Sequence, residues 1–216
     1  MTLQIAIESV IQLLHETSLG VLSTHSTQLP GFPYGTAVPL ILDHEHRPIL
    51  LISALAEHTR NLLADARASL AVVEGNQRNV QDAARVTLVG RFEPFVPDAP
   101  LVDRYLRYQP AAEQYLQLDF SFFRLAIERA RYIGGVGKMG WLDKEGWRDL
   151  VRLSPDEEAT LLAATKELPK GIRLLGIDAY GLDYEAAGIQ CRKPFAGPLH
   201  YPALAGILRE VVAQLA

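Results

Sequence analysis

The chain has 216 residues, of which 49% are hydrophobic and 21% are charged. This balance is typical of a folded protein with one or two domains and argues against disorder. The formal net charge of −4 excludes a nucleic-acid binder that relies on a broad basic surface. A single cysteine, Cys191, cannot form an internal disulfide, so we expect a reducing compartment and predict a cytoplasmic protein.

Residues 17–42 contain no charged side chain and are long enough to resemble a membrane span. Three prolines and the polar run at residues 23–28 argue against a helix there. The N-terminus has no basic region before its apolar residues, so it is not typical of a signal peptide. We therefore expect no membrane association.

The first two thirds of the chain predict helices and several short strands. Apolar residues at helical spacing between Leu3 and Leu14 predict a first helix. A run of short strands with antiparallel character predicts a small barrel. The predicted strands are 19–24, 35–42, 48–53, 68–74, 84–95 and 122–133, and the predicted helices are 55–66 and 97–118, the latter broken at Pro110.

The last third of the chain predicts a second, smaller unit. Ser154 and Pro155, followed by three acidic residues, have the features of a helix N-terminus. Strands over 171–178 and 188–193 and a closing helix over 201–215 complete an α+β unit. We place the boundary near residue 150, giving units 1–150 and 151–216, and expect a barrel without the second unit to fold. Its predicted core is Leu161, Leu162, Leu174, Ile177, Ile189, Leu204, Leu208 and Val211.

Polar residues gather where the third predicted strand runs into the second predicted helix: Ser53, His58, Thr59 and Arg60. Because the N-terminus of a helix repels cations, His58 and Arg60 are unfavourable there unless an anion is bound. A phosphate would receive hydrogen bonds from backbone N–H groups, hydroxyls and a guanidinium. Alternatively, the two basic side chains point to solvent or pair with neighbouring carboxylates.

Four segments resemble the FMN-binding split barrel of pyridoxamine 5′-phosphate oxidase relatives: residues 33–39, 53–62, 68–70 and 84–91. The chain is most similar to the haem-utilisation branch of that superfamily, which has a glycine-rich turn like residues 134–137 and a C-terminal segment like residues 176–183. The resemblance implies an α+β fold, with an N-terminal split β-barrel, flanking helices and a small C-terminal α+β domain.

This resemblance also implies a cofactor and its site. The chain would be an FMN-dependent oxidoreductase acting on a small-molecule ligand, and a homodimer with the cofactor at the subunit interface. The family's usual Arg-Lys pair is replaced here by His58 and Thr59, and no catalytic residue is evident. The implied phosphate ligands are Ser53, His58, Thr59 and Arg60; the flavin ring would lie along Tyr34, Gly35, Thr36 and Val38, with Lys138 within reach.

The alternative that the resemblance implies is a haem-binding or haem-degrading protein, and a binding or storage protein without catalysis is a third. Haem iron needs an axial ligand, commonly an imidazole. In haem-binding relatives this histidine lies near the C-terminus, where His200 is the one histidine of this chain. We expect His200 to be a solvent-facing residue at the start of the last helix. His44 and His46 have a spacing that could bind a metal, but we expect them in a hydrated turn.

Overall fold

The structure is a computed structural model that describes residues 5–75, 79, 81–135, 138–165 and 167–215. Its largest element is an eight-stranded antiparallel sheet in the order β2-β1-β5-β6-β7-β4-β3, with β8 paired to β7. The strands of this sheet are β1 Leu19–His25, β2 Pro33–Pro39, β3 Ile41–Leu42, β4 Pro48–Ser53, β5 Arg67–Val73, β6 Arg85–Phe95, β7 Phe120–Ile133 and β8 Met139–Asp143. Helices flank the sheet: α1 Ile7–His15, α2 Glu57–Ala64, α3 Ala99–Tyr108, a 3₁₀ helix Pro110–Gln117 and α4 Lys144–Arg148.

The sheet curls into a half-barrel with an open seam. Strands β2 and β3 stand at opposite ends of the strand order, yet only Leu40 separates them in the chain. The sheet therefore bends until β2 approaches β4, and the described residues form no hydrogen-bonded ladder between these two strands. This confirms the predicted split barrel.

Alternating burial on the strands and one apolar face of α1 build the barrel core. In β1, Leu22 is fully buried, and the fully buried Leu70 and Leu88 follow it across β5 and β6. Helix α1 covers this interior with Val10, Ile11 and Leu14, as its helical spacing predicts. Burying each of these side chains stabilises the folded state by about 1.5–3 kcal/mol relative to leaving it exposed.

The C-terminal unit consists of helix α5 Pro155–Ala164, strands β9 Ile172–Asp178, β10 Gly181–Ala186 and β11 Ile189–Pro194, and helix α6 Tyr201–Ala213. Ser154 caps α5 in a capping box with Glu157, as the sequence predicts. The central strand β10 was not predicted, because its polar residues conceal it. The prediction that Ile189 belongs to the core is wrong: this residue opens the edge strand β11 and is 66% exposed.

Strand β8 and the short helix α4 link the barrel to the C-terminal unit. Trp147 on α4 is buried against the barrel and donates a hydrogen bond to the carbonyl of His46 (3.4 Å). The buried Trp147 side chain therefore anchors α4 to the barrel.

The two predicted units share a buried polar junction. Gln12 of α1 donates to the carbonyl of Tyr180 (2.9 Å) and contacts Arg192, while Arg104 of α3 pairs with Glu158 of α5. The independence of units 1–150 and 151–216 remains a prediction.

No helix within the described ranges is long and apolar enough to cross a bilayer.

Candidate functional site

The corner where β4 meets α2 satisfies its own polar groups. The Thr59 hydroxyl is buried and donates to the carbonyl of Ser53 (2.6 Å). The Ser53 hydroxyl accepts from the N–H of Leu55 (3.1 Å) and lies 3.3 Å from a carboxylate oxygen of Asp119. Both hydroxyls therefore have protein partners, and a carboxylate occupies part of the space that a phosphate would need.

The charges at this corner do not favour an anion either. Burial lowers the pKa of the half-buried His58 imidazole, which favours its neutral form. Arg60 is exposed and donates to the carbonyl of Leu55 (2.8 Å), rather than pairing with the nearby Asp65. Glu57 adds a negative charge at the first turn of α2. The predicted phosphate ligands Ser53, Thr59 and Arg60 are therefore engaged within the protein.

The residues predicted to hold the flavin ring lie on β2, at the open seam. Tyr34, Thr36 and Val38 alternate onto the inward face of the half-barrel, and Val38 is buried in its core. Gly35 faces outward, where an added Cβ would meet only ordinary contacts. The four residues therefore divide between two faces of one strand.

Lys138 and the corner between β4 and α2 lie at opposite ends of β7. Ser53 pairs with Phe120 at the start of β7, whereas Lys138 follows Ile133 at its end, next to the β8 pairing. These positions are separated by about 40 Å of strand, at about 3.3 Å per residue. The glycine-rich turn beside Lys138 includes residues 136 and 137, which lie outside the described residues.

Asn61 is a buried residue that sequence reasoning missed, although an amide within the apolar part of a short helix is a signal. Its carbonyl oxygen accepts from the N–H and the hydroxyl of Thr27 (2.9 and 2.8 Å), and its NH₂ donates to Thr24 (3.0 Å). The Thr24 hydroxyl in turn donates to the carbonyl of Tyr34 (3.4 Å). Asn61 thus ties α2 to the turn between β1 and β2.

A groove on the outward face of the half-barrel has more of the features of a ligand site. It has a volume of about 610 Å³ and crosses β2, β1, β5, β6 and β7. Its floor is mostly small or apolar, and its charged rim is formed by His25, Arg67, Arg91 and Glu128. The remaining lining residues are Ser23, Thr24, Pro33, Ala68, Ser69, Val89 and Gly90.

The rim of this groove holds two guanidinium groups and one imidazole. Arg67 and Arg91 are paired across β5 and β6, and each also contacts a carboxylate of its own neighbourhood. Within the part of the chain that the structure describes, no hydrogen bond or ion pair engages the imidazole of His25. Its nitrogen atoms are therefore free to act as ligands or hydrogen-bond partners.

An apolar band adjoins the groove on the same outward face. Leu19 and Val21 of β1 are 57% and 48% exposed, and Val73 and Val89 continue the band. Beyond it, the exposed Trp141 stacks with two arginine side chains of β7. Exposed apolar surface of this kind marks an interaction face.

The remaining histidines divide in an unexpected way. His200 is exposed at the N-cap of α6, as predicted, and its side chain caps no backbone group. The expectation that His44 and His46 lie in a hydrated turn is wrong. His44 binds Glu158 (2.8 Å), and His46 is buried beside His15 (3.0 Å between ring nitrogens). Contacts from distant parts of the chain cover this turn.

The model of the pyridoxamine 5′-phosphate oxidase family matches residues 7–134. The chain belongs to this family. Among curated relatives, the chloroplastic non-canonical haem oxygenase HOZ from Arabidopsis thaliana is 34% identical over 141 residues. The match covers 60% of this chain and 40% of the length of that relative.

Two solved structures resemble this family member over almost its whole length. A haem binding protein from Mycobacterium smegmatis is 28% identical with a TM-score of 0.63, covering 99% of this chain and 98% of that one. A protein of unknown function from Agrobacterium tumefaciens has a TM-score of 0.73 at 23% identity, covering 99% and 96%. The Agrobacterium tumefaciens structure confirms the fold, including the small C-terminal unit. The names of the Arabidopsis thaliana and Mycobacterium smegmatis relatives confirm the resemblance to the haem-utilisation branch.

Proposed function

We propose that this protein binds haem in the outward groove of the half-barrel. The observation that carries this proposal is the combination of an unengaged imidazole, His25, with two guanidinium groups around an apolar floor. Haem requires an axial donor, an apolar surface for its ring and cations for its two propionates. A volume of about 610 Å³ lies within the range of small-molecule and cofactor sites.

The corner that the resemblance assigned to the FMN phosphate argues against the flavin alternative. There the hydroxyls of Ser53 and Thr59 are engaged within the protein, and two carboxylates oppose an anion. The relatives named for haem support the same choice. Bound haem would supply redox chemistry, while the protein would hold the ring and its carboxylates.

We also propose that a second copy of the chain covers the groove. The apolar band around Val21 and Val89 borders the groove, so a partner packed on the band would shield the haem face from water. The protein should therefore sediment as a homodimer at micromolar concentration. Val21→Glu places a charge in the band and should shift the protein towards monomer; an unchanged dimer would contradict this assignment.

Haemin titration followed by absorption spectroscopy tests the groove. His25→Ala should weaken binding more than about tenfold, because even indirect partners of a metal ligand contribute about 10- to 100-fold in affinity. His200→Ala is the matched control, since this exposed histidine lies outside the groove, and it should bind haemin like the wild type. Because His25 is exposed, its substitution should leave the fold intact, and circular dichroism checks this.

Two outcomes would overturn the proposal. Equal haemin binding by wild type and His25→Ala would reject the groove, and FMN that co-purifies with the protein would favour the flavin function. Adding ascorbate in air to the haem complex separates binding from degradation, because only degradation removes the haem absorption band permanently.

A further inference from the structure

A cluster of three buried residues lies where the barrel meets the C-terminal unit. His15 ends α1, His46 lies in the turn between β3 and β4, and Asp178 ends β9. Their exposed fractions are 3%, 1% and 7%. One potential ligand atom from each residue lies within 4.8 Å of the other two. We call these residues the His–His–Asp cluster.

The lone pair of His15 is directed into this cluster. Its Nδ1 lies 2.8 Å from a carboxylate oxygen of Asp183, and an ionised carboxylate can only accept, so Nδ1 carries the proton. In the neutral ring, Nε2 then presents a lone pair to His46 (3.0 Å) and to Asp178 (3.4 Å). Metal-binding histidines are oriented by carboxylates in this way.

His46 is held in place with one ring nitrogen unsatisfied. Its Nδ1 faces His15, whereas its buried Nε2 has no hydrogen-bond partner in the described chain. In its neutral form such a ring can coordinate a metal. His46 has a left-handed backbone conformation (φ +57°), and its backbone N–H donates to the backbone carbonyl of Asp43 (2.9 Å).

Charged side chains surround the cluster closely. Asp178 and Asp183 share one guanidinium, that of Arg192, at 2.9 and 2.5 Å. Burial alone would raise the pKa of both carboxyl groups, but Arg192 outweighs it and keeps both pKa values below their ordinary range. The next guanidinium, that of Arg104, is paired with Glu158. Glu158 is shared by Arg104 and Arg107, so in direct contact with the cluster two carboxylates face the guanidinium of Arg192 and the imidazole of His15.

We propose that the His–His–Asp cluster binds a divalent metal ion of the zinc class. Two imidazoles and a carboxylate form a donor set that suits zinc, with ligand distances of about 2.0–2.2 Å. Tetrahedral geometry at such distances places ligand atoms about 3.3–3.6 Å apart. The separation between His15 and Asp178 (3.4 Å) already matches, and the two imidazoles need to part by only a few tenths of an ångström.

The metal would connect parts of the chain that are distant in sequence. His15 and His46 belong to the barrel, whereas Asp178 belongs to the C-terminal unit. Binding to the folded state alone stabilises it by mass action, so the metal would strengthen the attachment of one unit to the other. This inference does not depend on haem binding, and no haem enters its test.

The experiment uses the full chain. Protein stripped with a chelator is refolded with zinc or cobalt chloride, desalted and assayed for bound metal and for its thermal midpoint. We expect one metal ion per chain, a higher midpoint, and a cobalt spectrum in the visible that indicates imidazole ligands. His46→Asn should lose at least about tenfold in affinity, since asparagine tolerates the left-handed backbone and cannot replace the imidazole.

His200→Asn is the matched control, because it removes an exposed histidine outside the cluster, and it should bind metal like the wild type. A wild-type protein that retains no zinc at micromolar concentrations would overturn the proposal, as would undiminished binding by His46→Asn. Should this variant fail to fold, the imidazole signals of His15 and His46 in the wild type decide the matter by NMR. Bound cobalt should displace both signals, and unshifted signals would contradict the site.

Discussion

Mild acid should destabilise the metal-free protein through His46. In the folded state, burial lowers the pKa of this histidine to about 3; the guanidiniums of Arg192 and Arg104 act in the same direction, and the carboxylate of Asp178 opposes them. In the unfolded chain, the same group has an ordinary pKa of about 6.5. Below about pH 6.5 His46 is therefore protonated in the unfolded state but not in the folded state. The free energy of unfolding falls as the pH falls towards 3.

The magnitude follows from the gap between the two pKa values of His46. One pKa unit corresponds to about 1.36 kcal/mol. At pH 5 the unfolded-state group lies about 1.5 units above the pH and the folded-state group is still neutral, so the lost stability is about 2 kcal/mol. Because the side chain is only 1% exposed, solvent screening does not reduce this value appreciably.

Urea unfolding at pH 7 and pH 5, with a chelator present, measures this loss. The loss of unfolding free energy between pH 7 and pH 5 should be about 2 kcal/mol smaller in His46→Asn than in the wild type. His200→Asn, which changes an exposed histidine, should behave like the wild type. Parallel pH dependence in wild type and His46→Asn would refute the reasoning, as would an NMR titration that places the midpoint of His46 near 6.5.

Three further changes test the fold. Asn61→Ala removes three hydrogen bonds from a fully buried position and should cost about 2–3 kcal/mol in urea unfolding; a loss below about 0.5 kcal/mol would contradict the bridging role. Gly90→Ala would place a Cβ 2.1 Å from a carbonyl oxygen of β7 and should lower the thermal midpoint strongly, whereas Gly206→Ala, in open space on α6, should raise it; similar effects would argue against the close approach. A fragment of residues 1–150 should fold with reduced stability, because its junction with the second unit becomes hydrated, and the absence of cooperative unfolding would reject the predicted boundary.

Much of the fold follows from local sequence signals. The apolar spacing of α1, the capping residues of α5 and the short strands before Phe95 are properties of neighbouring residues, and the structure confirms them. Strand β10 escaped prediction because Asp183 resembles a loop residue. The structure buries this carboxylate completely by pairing it with Arg192 and His15, which no local pattern reveals.

The candidate sites show the same limit. Ser53 and Thr59 lie close together, as their spacing predicts, but the Ser53 hydroxyl is engaged by Asp119, far along the chain, and the Thr59 hydroxyl by a backbone carbonyl. His46 stands in a polar turn, and only the arrival of α1 and the C-terminal unit buries it. His25 stands in an equally polar run, and it belongs to a groove only because four neighbouring strands align.

The junction between barrel and C-terminal unit has a consequence for synthesis on the ribosome. Gln12 and His15 are made well before their partners Tyr180 and Asp183, which follow 168 residues later. Contacts so distant in sequence form late, since the intervening loop must close first. Helix α1 therefore completes its packing only after Tyr180 and Asp183 have been translated, and until then the polar side chains that it buries at this junction are hydrated in the nascent protein.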